Sequence, residues 1–457
     1  MKSFWGLYCC DYSAKLEHRA GGIAIAEREA MHISLAQPQN GEVHKEPMLI
    51  RKCPAAAPLL ALSVIVVSGL LFTSQASAAA WTQPGYLYRY FVWGAQFPFS
   101  SRSDDYRRYG YHTIDKAPDA FHFDQGKRDA VPDTVEYTEG DTVKRVALAE
   151  LLRSTGTHAF IVLRDNQVLY EDYFNGFARD SLCTSWSLSK SFTGALVGIA
   201  ISDGYIKSLD DPITNYISEL KGQGFDAITI RNLLTMGSGI QYRIGFFPWD
   251  EFVLAGYYPN LRQLLLSDLK IIEPPGQSFH YNNFNTELIG MILERTTGMA
   301  PSKFLQEKIW KPIGMEYPAT WSIDSEQDGF ELTPILLNAR AIDLAKFGRL
   351  YLNNGNWEGK QIVPEHWVID STANDPNDHR PWETFSRWQN GGGYYKYFWW
   401  GVSNGDGDYS FMGIGTYGQF IFVSPKTKVV IVRTADADGI DPPYWREVFQ
   451  YIAEHVR

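Results

Sequence analysis

The sequence predicts an α/β (α+β) fold in which an antiparallel sheet, flanked by helices, carries an inserted helical subdomain. Two alternating apolar segments, 158–164 and 167–174, meet at Asp165-Asn166 and predict a hairpin. Four more strand-like segments lie near the carboxyl end, whereas residues 187–319 have mostly helical periodicity. Strands at both ends with helices between them indicate one unit built from both ends. We expect the functional site in the cleft between sheet and helices.

The individual elements follow from periodicity and from breaker residues. A short helix closes at 148–153, ahead of the hairpin, and the later helices end at Gly298 or at Asn353-Asn354-Gly355. The predicted helices cover residues 287–295, 302–310, 342–352 and 444–456. The predicted strands of the carboxyl-terminal part cover residues 394–402, 409–412, 419–423 and 428–433.

The first eighty residues are predicted to be a leader. A short basic start at 48–52 precedes an apolar run, and Ala76-x-Ala78 suits a signal peptidase, with Ala78-x-Ala80 fitting nearly as well. We expect Met48 to be the true start, 1–47 a mis-assigned extension and 48–78 a signal peptide. The protein would then be exported, periplasmic or secreted, without stable membrane association after cleavage. An uncleaved N-terminal membrane anchor is the alternative, disfavoured by the short apolar run.

The mature chain is predicted to consist of two parts. Residues 79–142 are rich in aromatic, Pro and turn residues with no clear helix, and predict an irregular extension wrapping a single folded domain at 143–457. Cleavage leaves Cys183 as the remaining cysteine, which excludes an internal disulfide, and we expect it to be packed at a strand end.

Composition excludes several classes of partner. The chain has 45% hydrophobic and 21% charged residues and a net charge of −10, which suits a soluble globular chain with a buried core and argues against nucleic acid as a partner. No metal and no cofactor are predicted, because the histidines lack ligand spacing. These histidines are His112, His122, His158, His280 and His366. Nothing in the sequence indicates an oligomeric state.

The chemistry is predicted from Ser187-Leu188-Ser189-Lys190. Lys190 lies one helical turn beyond Ser187 on the same face, so its amine can reach the serine hydroxyl and take its proton. A second S-x-x-K motif runs from Ser267 to Lys270. Its surroundings have the pattern of an ordinary amphipathic helix, so Lys270 is predicted to lie on the solvent-exposed face. Ser187 instead opens a helix rich in Gly and Ala that is predicted to be buried, and the start of a helix favours developing negative charge.

A tyrosine brought in by folding would complete the proton relay. Tyr281-Asn282-Asn283 is our candidate, although other Tyr-x-Asn triplets occur and the triplet alone does not decide. The purely structural alternative is a serine near a helix start beside a surface lysine.

The ordered motifs from about residue 157 onward resemble the β-lactamase-related serine hydrolases, which include class C β-lactamases, DD-peptidases and esterases. Within them the chain resembles the 6-aminohexanoate-dimer hydrolase branch. The resemblance rests on residues 159–165, 170–176, 187–194, 230–239, 281–290, 344–352 and 418–425. It implies a β-lactamase/transpeptidase-like fold with acyl transfer to a serine.

The resemblance also implies a role for each candidate residue. Ser187 would be the acylated nucleophile, Lys190 its proton partner, and Tyr281 the base for attack and the acid for the leaving group. Asn283 would hydrogen-bond the substrate amide or steady Lys190. Gly415 would let the strand approach the substrate, and the Thr416 N–H would complete the oxyanion site with the Ser187 N–H.

The chain departs from this family at Gly413-Ile414-Gly415, where Lys or His, Thr and Gly are common. The absent cationic side chain argues for a small-molecule linear amide or ester as substrate. The alternatives are a carboxylate anchor on another loop, with β-lactamase or DD-peptidase activity, or a non-catalytic penicillin-binding-type sensor.

Two aromatic segments are predicted to line the substrate pocket, 242–258 and 394–400. Together they suit an extended, partly hydrophobic acyl group. Asp250 or Glu251 would then face a substrate ammonium group.

Overall fold

The computed structural model describes residues 81–93, 104–405 and 407–457. The predicted extension 1–47 and signal peptide 48–78 lie outside the described residues, as do Cys9, Cys10 and Cys53. The strands are β1 (Tyr111–Ile114), β2 (Asp124–Gln125), β3 (Thr134–Glu139), β4 (Thr142–Ala147), β5 (Thr157–Arg164), β6 (Gln167–Tyr173), β7 (Cys183–Thr184), β8 (Ala319–Ser322), β9 (Leu337–Ala339), β10 (Asn356–Trp357), β11 (Lys360–Gln361), β12 (Gly393–Lys396), β13 (Trp399–Gly405), β14 (Asp408–Gly415), β15 (Gln419–Ser424) and β16 (Val429–Ala435).

Nine of the twelve described α-helices lie between strands β7 and β12. The twelve are α1 (Pro84–Val92), α2 (Leu148–Ser154), α3 (Ser189–Ser202), α4 (Ile230–Leu234), α5 (Glu251–Tyr257), α6 (Leu261–Ser267), α7 (Asn283–Thr297), α8 (Pro301–Leu305), α9 (Ala341–Leu352), α10 (Glu365–Thr372), α11 (Ser386–Asn390) and α12 (Pro442–His455). Among the described residues, no helix is both long enough and apolar enough to cross a bilayer.

The two ends of the domain meet in one eight-stranded sheet of order β12-β13-β14-β15-β16-β5-β6-β2. Strand β16 pairs antiparallel with β5, so that Val430 lies opposite Leu163. All neighbours are antiparallel except β2 and β6 at one edge. The predicted union of both ends of the domain in one sheet is therefore confirmed, because strands separated by the whole helical part share a ladder.

Helices cover both faces of this sheet. In β15, Phe420 and Phe422 point to one face and contact Phe449 of α12, with ring centroids 5.5 and 5.8 Å away. Ile421 points to the other face, against which α9 packs. This strict alternation gives each face an apolar surface to bury, as expected for a sheet between helical layers.

The predicted single strand 394–402 is wrong. It is a hairpin of β12 and β13, in which Lys396 pairs with Trp399. The chain reverses at Tyr397 and Phe398, whose φ angles of 43° and 72° are left-handed. Because turns with positive φ usually contain Gly or Asn, two aromatic residues gave no turn signal in the sequence.

The sequence predicts an irregular extension at 79–142, but the described part of this extension contains regular helices and strands. Pro84 opens α1, strand β1 pairs with β8, and β3 and β4 form a hairpin that crosses position 142. In α1, Tyr86 is fully buried. The helix forms because this tertiary packing supplies what its short, mixed sequence does not.

A second sheet, of order β1-β8-β9-β7, lies under the start of α3. Strand β7 pairs with β9, with Cys183 opposite Ala339. The chain leaves β7 and enters the Ser187 turn within three residues, so this sheet sets the position of that turn.

Candidate active site

Ser187 lies in a short 3₁₀ turn, Trp186–Leu188, between strand β7 and helix α3. The Ser185 amide donates a hydrogen bond to the Leu337 carbonyl at 3.0 Å. The Leu337 amide in turn donates to the Ser189 hydroxyl at 3.0 Å. The turn is thereby fixed to strand β9 on both sides of Ser187.

Trp186, directly before Ser187, has a left-handed backbone with φ 51°. Its ring packs edge-on against Tyr417, which is also left-handed, at a centroid distance of 5.5 Å. Such conformations cost about 1–3 kcal/mol each and persist where the surroundings enforce them, often at functional sites.

Lys190 reaches the Ser187 hydroxyl, as the spacing had predicted. Its Nζ lies 3.1 Å from Ser187 Oγ and donates to the Pro334 carbonyl at 3.0 Å. The side chain is buried, with 1% of the residue exposed. Burial holds the pKa of Lys190 well below its usual 10.5, and the nearby Glu287 opposes that shift. A neutral amine in this position can accept the serine proton.

Glu287 is a buried acidic residue that our sequence reasoning overlooked. It lies on α7, and Thr333 Oγ1 donates to its Oε2 at 3.3 Å. Burial raises its pKa well above 4.5, while Lys190 acts in the opposite direction. The sequence did contain a signal, because Glu287 follows Phe284 by one helical turn and precedes Leu288. An acidic residue among apolar residues of one helix is a candidate for a buried functional group.

Tyr281 stands immediately before α7, which Asn282 caps through a 2.9 Å hydrogen bond from the Phe284 amide. Tyr281 lines the same cleft as Ser187, and its ring centroid lies 4.8 Å from Lys190 Nζ. Burial raises the pKa of Tyr281, so the phenol is protonated at neutral pH, and the neighbouring Ser187 side chain opposes that shift. The structure thus brings the three predicted side chains together.

Asn283 lines the same cleft as Ser187. The hydrogen bonds of Lys190 run to Ser187 and Pro334, and within the described chain Asn283 is not among its partners. Of the two roles expected for Asn283, holding Lys190 is therefore not seen, and contact with the substrate remains.

Strand β14 ends beside the Ser187 turn. A Cβ at Gly415 would collide with the Ser185 carbonyl oxygen, so only glycine permits this approach of the two backbones. Thr416, the next residue, lines the cleft with Ser187.

Gly413 faces helix α3. A Cβ there would lie 3.0 Å from Ser191 Oγ and 3.3 Å from Leu188 Cγ. The cleft-facing residue of this segment is Ile414. Gly413 therefore packs against the helix, and the triplet presents the apolar Ile414 to the cleft in place of a cationic side chain.

The cleft is lined mostly by aromatic and aliphatic side chains. Both aromatic segments contribute, as predicted, together with an unforeseen contribution from the extension at Asp105, Arg108 and Tyr109. The apolar lining comprises Trp186, Tyr242, Ile244, Phe252, Tyr257, Ile335, Leu336, Phe385, Trp400 and Ile414.

Neither Asp250 nor Glu251 lines the cleft, against our expectation of an ammonium partner there. Glu251 forms an ion pair with Arg243 at 2.8 Å, and Asp250 accepts from the Phe247 amide at 2.9 Å. Both carboxylates stabilise the 242–258 segment itself.

The other reactive groups considered lie elsewhere. Ser267 is exposed and donates to the Gln263 carbonyl at 2.8 Å, as expected of an ordinary surface helix. Cys183 is packed at a strand end, and burial raises the pKa of its thiol to about 12. In the described part of the chain, no group of three His, Cys, Asp or Glu side chains is arranged to hold a metal ion.

Known proteins share both the sequence pattern and the fold. A profile of the β-lactamase family matches residues 148–450. The 6-aminohexanoate-dimer hydrolase of Paenarthrobacter ureafaciens is 31% identical over 309 residues, covering 65% of this chain and 77% of that protein.

Solved structures agree. A Bacillus anthracis protein, provisionally named a 6-aminohexanoate-dimer hydrolase, superposes with a TM-score of 0.66 at 26% identity, covering 84% of this chain and 98% of that one. The octameric penicillin-binding protein homologue from Pyrococcus abyssi has a TM-score of 0.51 at 17% identity over 66% of this chain and 75% of its own, a likeness of fold. The predicted β-lactamase/transpeptidase-like fold is therefore confirmed. On the match over residues 148–450 and the 31% identity to a hydrolase, the chain belongs to the β-lactamase family.

Proposed function

We propose that this protein is a serine hydrolase that cleaves linear amide or ester bonds through an acyl-enzyme. The observation that carries the proposal is the 3.1 Å contact between Lys190 Nζ and Ser187 Oγ, made by a buried lysine whose pKa is lowered. A lysine ordinarily carries its proton and cannot act as a base, whereas a desolvated one can.

Acylation uses the groups around Ser187. Its Oγ attacks the scissile carbonyl carbon while its proton passes to the neutral Lys190 amine. The carbonyl oxygen becomes an oxyanion that receives hydrogen bonds from the backbone N–H groups of Ser187 and Thr416. Tyr281, whose ring lies 4.8 Å from Lys190 Nζ, delivers a proton to the leaving nitrogen or oxygen and recovers one from Lys190. The C–N or C–O bond breaks and the acyl group remains on Ser187.

Deacylation repeats the sequence with water as the nucleophile. Tyr281 accepts the proton of the attacking water while it passes its own phenol proton to the neutral Lys190 amine, which later returns that proton to Ser187 Oγ. The same two N–H groups stabilise the second oxyanion. Collapse of the intermediate breaks the ester bond, returns a proton to Ser187 Oγ and releases the acid. No group beyond this chain and water is needed to balance either step.

Support for a linear substrate comes from the walls of the cleft. Its lining is mostly apolar, which suits an extended chain. A β-lactam presents a carboxylate close to its scissile bond, and the strand residues beside Ser187 are Gly413, Ile414 and Gly415, none of which offers a charge. The relatives named for hydrolysis of the 6-aminohexanoate dimer are also consistent with a linear amide.

A fluorophosphonate probe tests the nucleophile directly. Covalent labelling of Ser187, found by peptide mass spectrometry and absent in Ser187→Ala, is expected. Failure of the folded protein to label would favour a non-catalytic binding module. Labelling by an acyl donor without turnover would favour a penicillin-binding-type sensor.

We also propose that the protein is exported by the leader ending near Ala78. N-terminal sequencing of protein secreted from an expressing cell tests this, and a mature chain that keeps residues 48–78 would contradict it.

A further inference from the structure

A segment outside the family match, described at residues 84–93 and 104–109, packs beside the cleft, and its Asp105, Arg108 and Tyr109 line the cleft. The Tyr109 hydroxyl donates to the Gly256 carbonyl at 3.0 Å, and the Tyr90 hydroxyl donates to the Phe246 carbonyl at 2.9 Å. Trp93 packs edge-on against Tyr257 with ring centroids 6.4 Å apart. These contacts attach the segment to the 242–258 wall, so its side chains have fixed places in the cleft.

This segment brings a charged pair into the cleft. Arg108 Nη1 lies 3.1 Å from Asp105 Oδ1, one turn of 3₁₀ helix away, and both residues line the same cavity as Ser187 and Thr416. The remaining lining residues are uncharged. The only formal charges in the lining, within the described chain, are therefore Asp105 and Arg108.

The two charges are not equally accessible. The Asp105 side chain is 5% exposed, whereas 22% of the Arg108 side chain is exposed. Arg108 is therefore the more accessible of the two charges, and the Asp105 carboxylate 3.1 Å from its Nη1 fixes the orientation of the guanidinium. A guanidinium carries five N–H donors in a planar fork that suits carboxylates, and it is suited to holding more than one acceptor.

We infer that Arg108 is a specificity-determining residue that binds a carboxylate at the end of the substrate remote from the scissile bond, with Asp105 as its positioning residue. The inference rests on the proposed function in taking this cleft as the hydrolytic site. It narrows the substrate class to linear amides or esters in which an apolar spacer joins the scissile carbonyl or its leaving group to a terminal carboxylate. This carboxylate is distinct from the one that a β-lactam holds beside its scissile bond.

Two matched substrate pairs test this charge preference. Mono-p-nitrophenyl adipate and p-nitrophenyl hexanoate differ by a carboxylate on the acyl side. N-hexanoyl-6-aminohexanoate and its N-methylamide differ by a carboxylate on the leaving side. We expect the full-length enzyme to favour the carboxylate member of at least one pair by roughly tenfold or more in kcat/KM, the size of one charge-assisted contact.

Arg108→Gln should bring the ratio of kcat/KM for the two members of the pair close to one. Arg108→Glu should reverse the charge preference, so that the cationic p-nitrophenyl ester of 6-aminohexanoate is hydrolysed faster than mono-p-nitrophenyl adipate. Arg107→Gln is the matched control, because it removes the same charge from the residue just before Arg108. Arg107 is exposed and contacts Tyr106. The control should keep the wild-type ratio. An unselective wild-type enzyme, or equal changes of the ratio in Arg107→Gln and Arg108→Gln, would overturn the inference.

Binding to Ser187→Ala separates this inference from the proposed function. Calorimetric titration with N-hexanoyl-6-aminohexanoate reads the Arg108 contact without turnover, and its affinity should exceed that of the N-methylamide. Hydrolysis of p-nitrophenyl hexanoate by wild type without any carboxylate preference would sink the inference and leave the proposed function standing. Carboxylate-selective binding with no hydrolysis of any ester would support the Arg108 inference and contradict the proposed function.

Discussion

The amine nitrogen of Lys190 lies 3.1 Å from the hydroxyl oxygen of Ser187, one turn apart at the start of a buried helix. The contact joins the proposed nucleophile to an amine whose pKa burial has lowered. Tyr281 lines the same cleft, and its ring centroid lies 4.8 Å from the Lys190 amine nitrogen.

The first prediction concerns the nucleophile. Ser187→Ala should lower kcat/KM for p-nitrophenyl hexanoate by roughly 10³-fold or more, since loss of a nucleophile removes the whole covalent route. The variant should stay folded by circular dichroism, because only one hydroxyl is lost. Ser267→Ala is the control and should keep wild-type activity, because the Ser267 hydroxyl is exposed and donates to the Gln263 carbonyl of its own helix. An equal loss in the control would mean that the wrong serine has been chosen.

The second prediction concerns pH. The general base must be neutral, so kcat/KM should fall as pH drops through the pKa of Lys190 and level off above it. Because burial lowers that pKa, the midpoint of the acid limb should lie well below 10.5. Lys190→Arg should be inactive at every pH, since a guanidinium stays protonated. A wild-type limb near 10.5 would contradict a lowered pKa.

The third prediction concerns Glu287. Its charge raises the pKa of Lys190 against the effect of burial. Glu287→Gln should therefore move the acid limb of the kcat/KM profile to lower pH. The shift should be less than about one unit, because burial raises the pKa of Glu287 and so narrows the pH range in which it carries a charge.

Glu294→Gln is the matched control for Glu287. It lies on the same helix, and its carboxylate pairs with Arg262 at 3.1 Å, away from Lys190. The control should leave the acid limb in place. An alkaline shift in Glu287→Gln, or the same shift in both variants, would show that Glu287 does not act on Lys190.

The fourth prediction compares two glycines of strand β14. At Gly415 an added methyl group meets the Ser185 backbone, which cannot yield without moving the Ser187 turn. Gly415→Ala should therefore lower kcat/KM by roughly 10²-fold or more and stability by about 1–3 kcal/mol. At Gly413 the nearest atoms are side-chain atoms, Ser191 Oγ at 3.0 Å and Leu188 Cγ at 3.3 Å, which need to move by only a few tenths of an ångström.

Gly413→Ala is thus expected to cost less than Gly415→Ala in both stability and rate. Thermal unfolding and ester turnover of the two purified variants measure the difference. Equal loss of activity in both would indicate general damage to the strand in place of a specific approach to Ser187.

The fifth prediction concerns substrate class. At matched concentration, the wild-type enzyme should hydrolyse p-nitrophenyl esters and possess only poor activity on penicillins. Burying the carboxylate of a penicillin beside Gly413 and Ile414, without a partner, costs several kcal/mol. A panel of esters, aminohexanoate amides and penicillins measures this directly. Faster turnover of penicillins than of short esters would show that another group anchors that carboxylate.

Some features of this protein follow from short stretches of sequence. The 157–173 hairpin and the helices ending at Gly298 and Asn353 follow from periodicity and breaker residues, which act over a few residues. The contact of Ser187 with Lys190 belongs to the same group, because one helical turn sets their separation. For these features local geometry leaves few alternatives.

Tertiary packing decided the remainder. The reversal at Tyr397-Phe398 depends on burial of both rings, and the direction of Gly413 depends on how β14 lies on α3. The lowered pKa of Lys190 comes from burial beneath chain segments far from it in sequence. Arg108 enters the cleft only because the extension packs on the 242–258 wall. Such contacts join residues of large sequence separation, and no local preference encodes which of them meet.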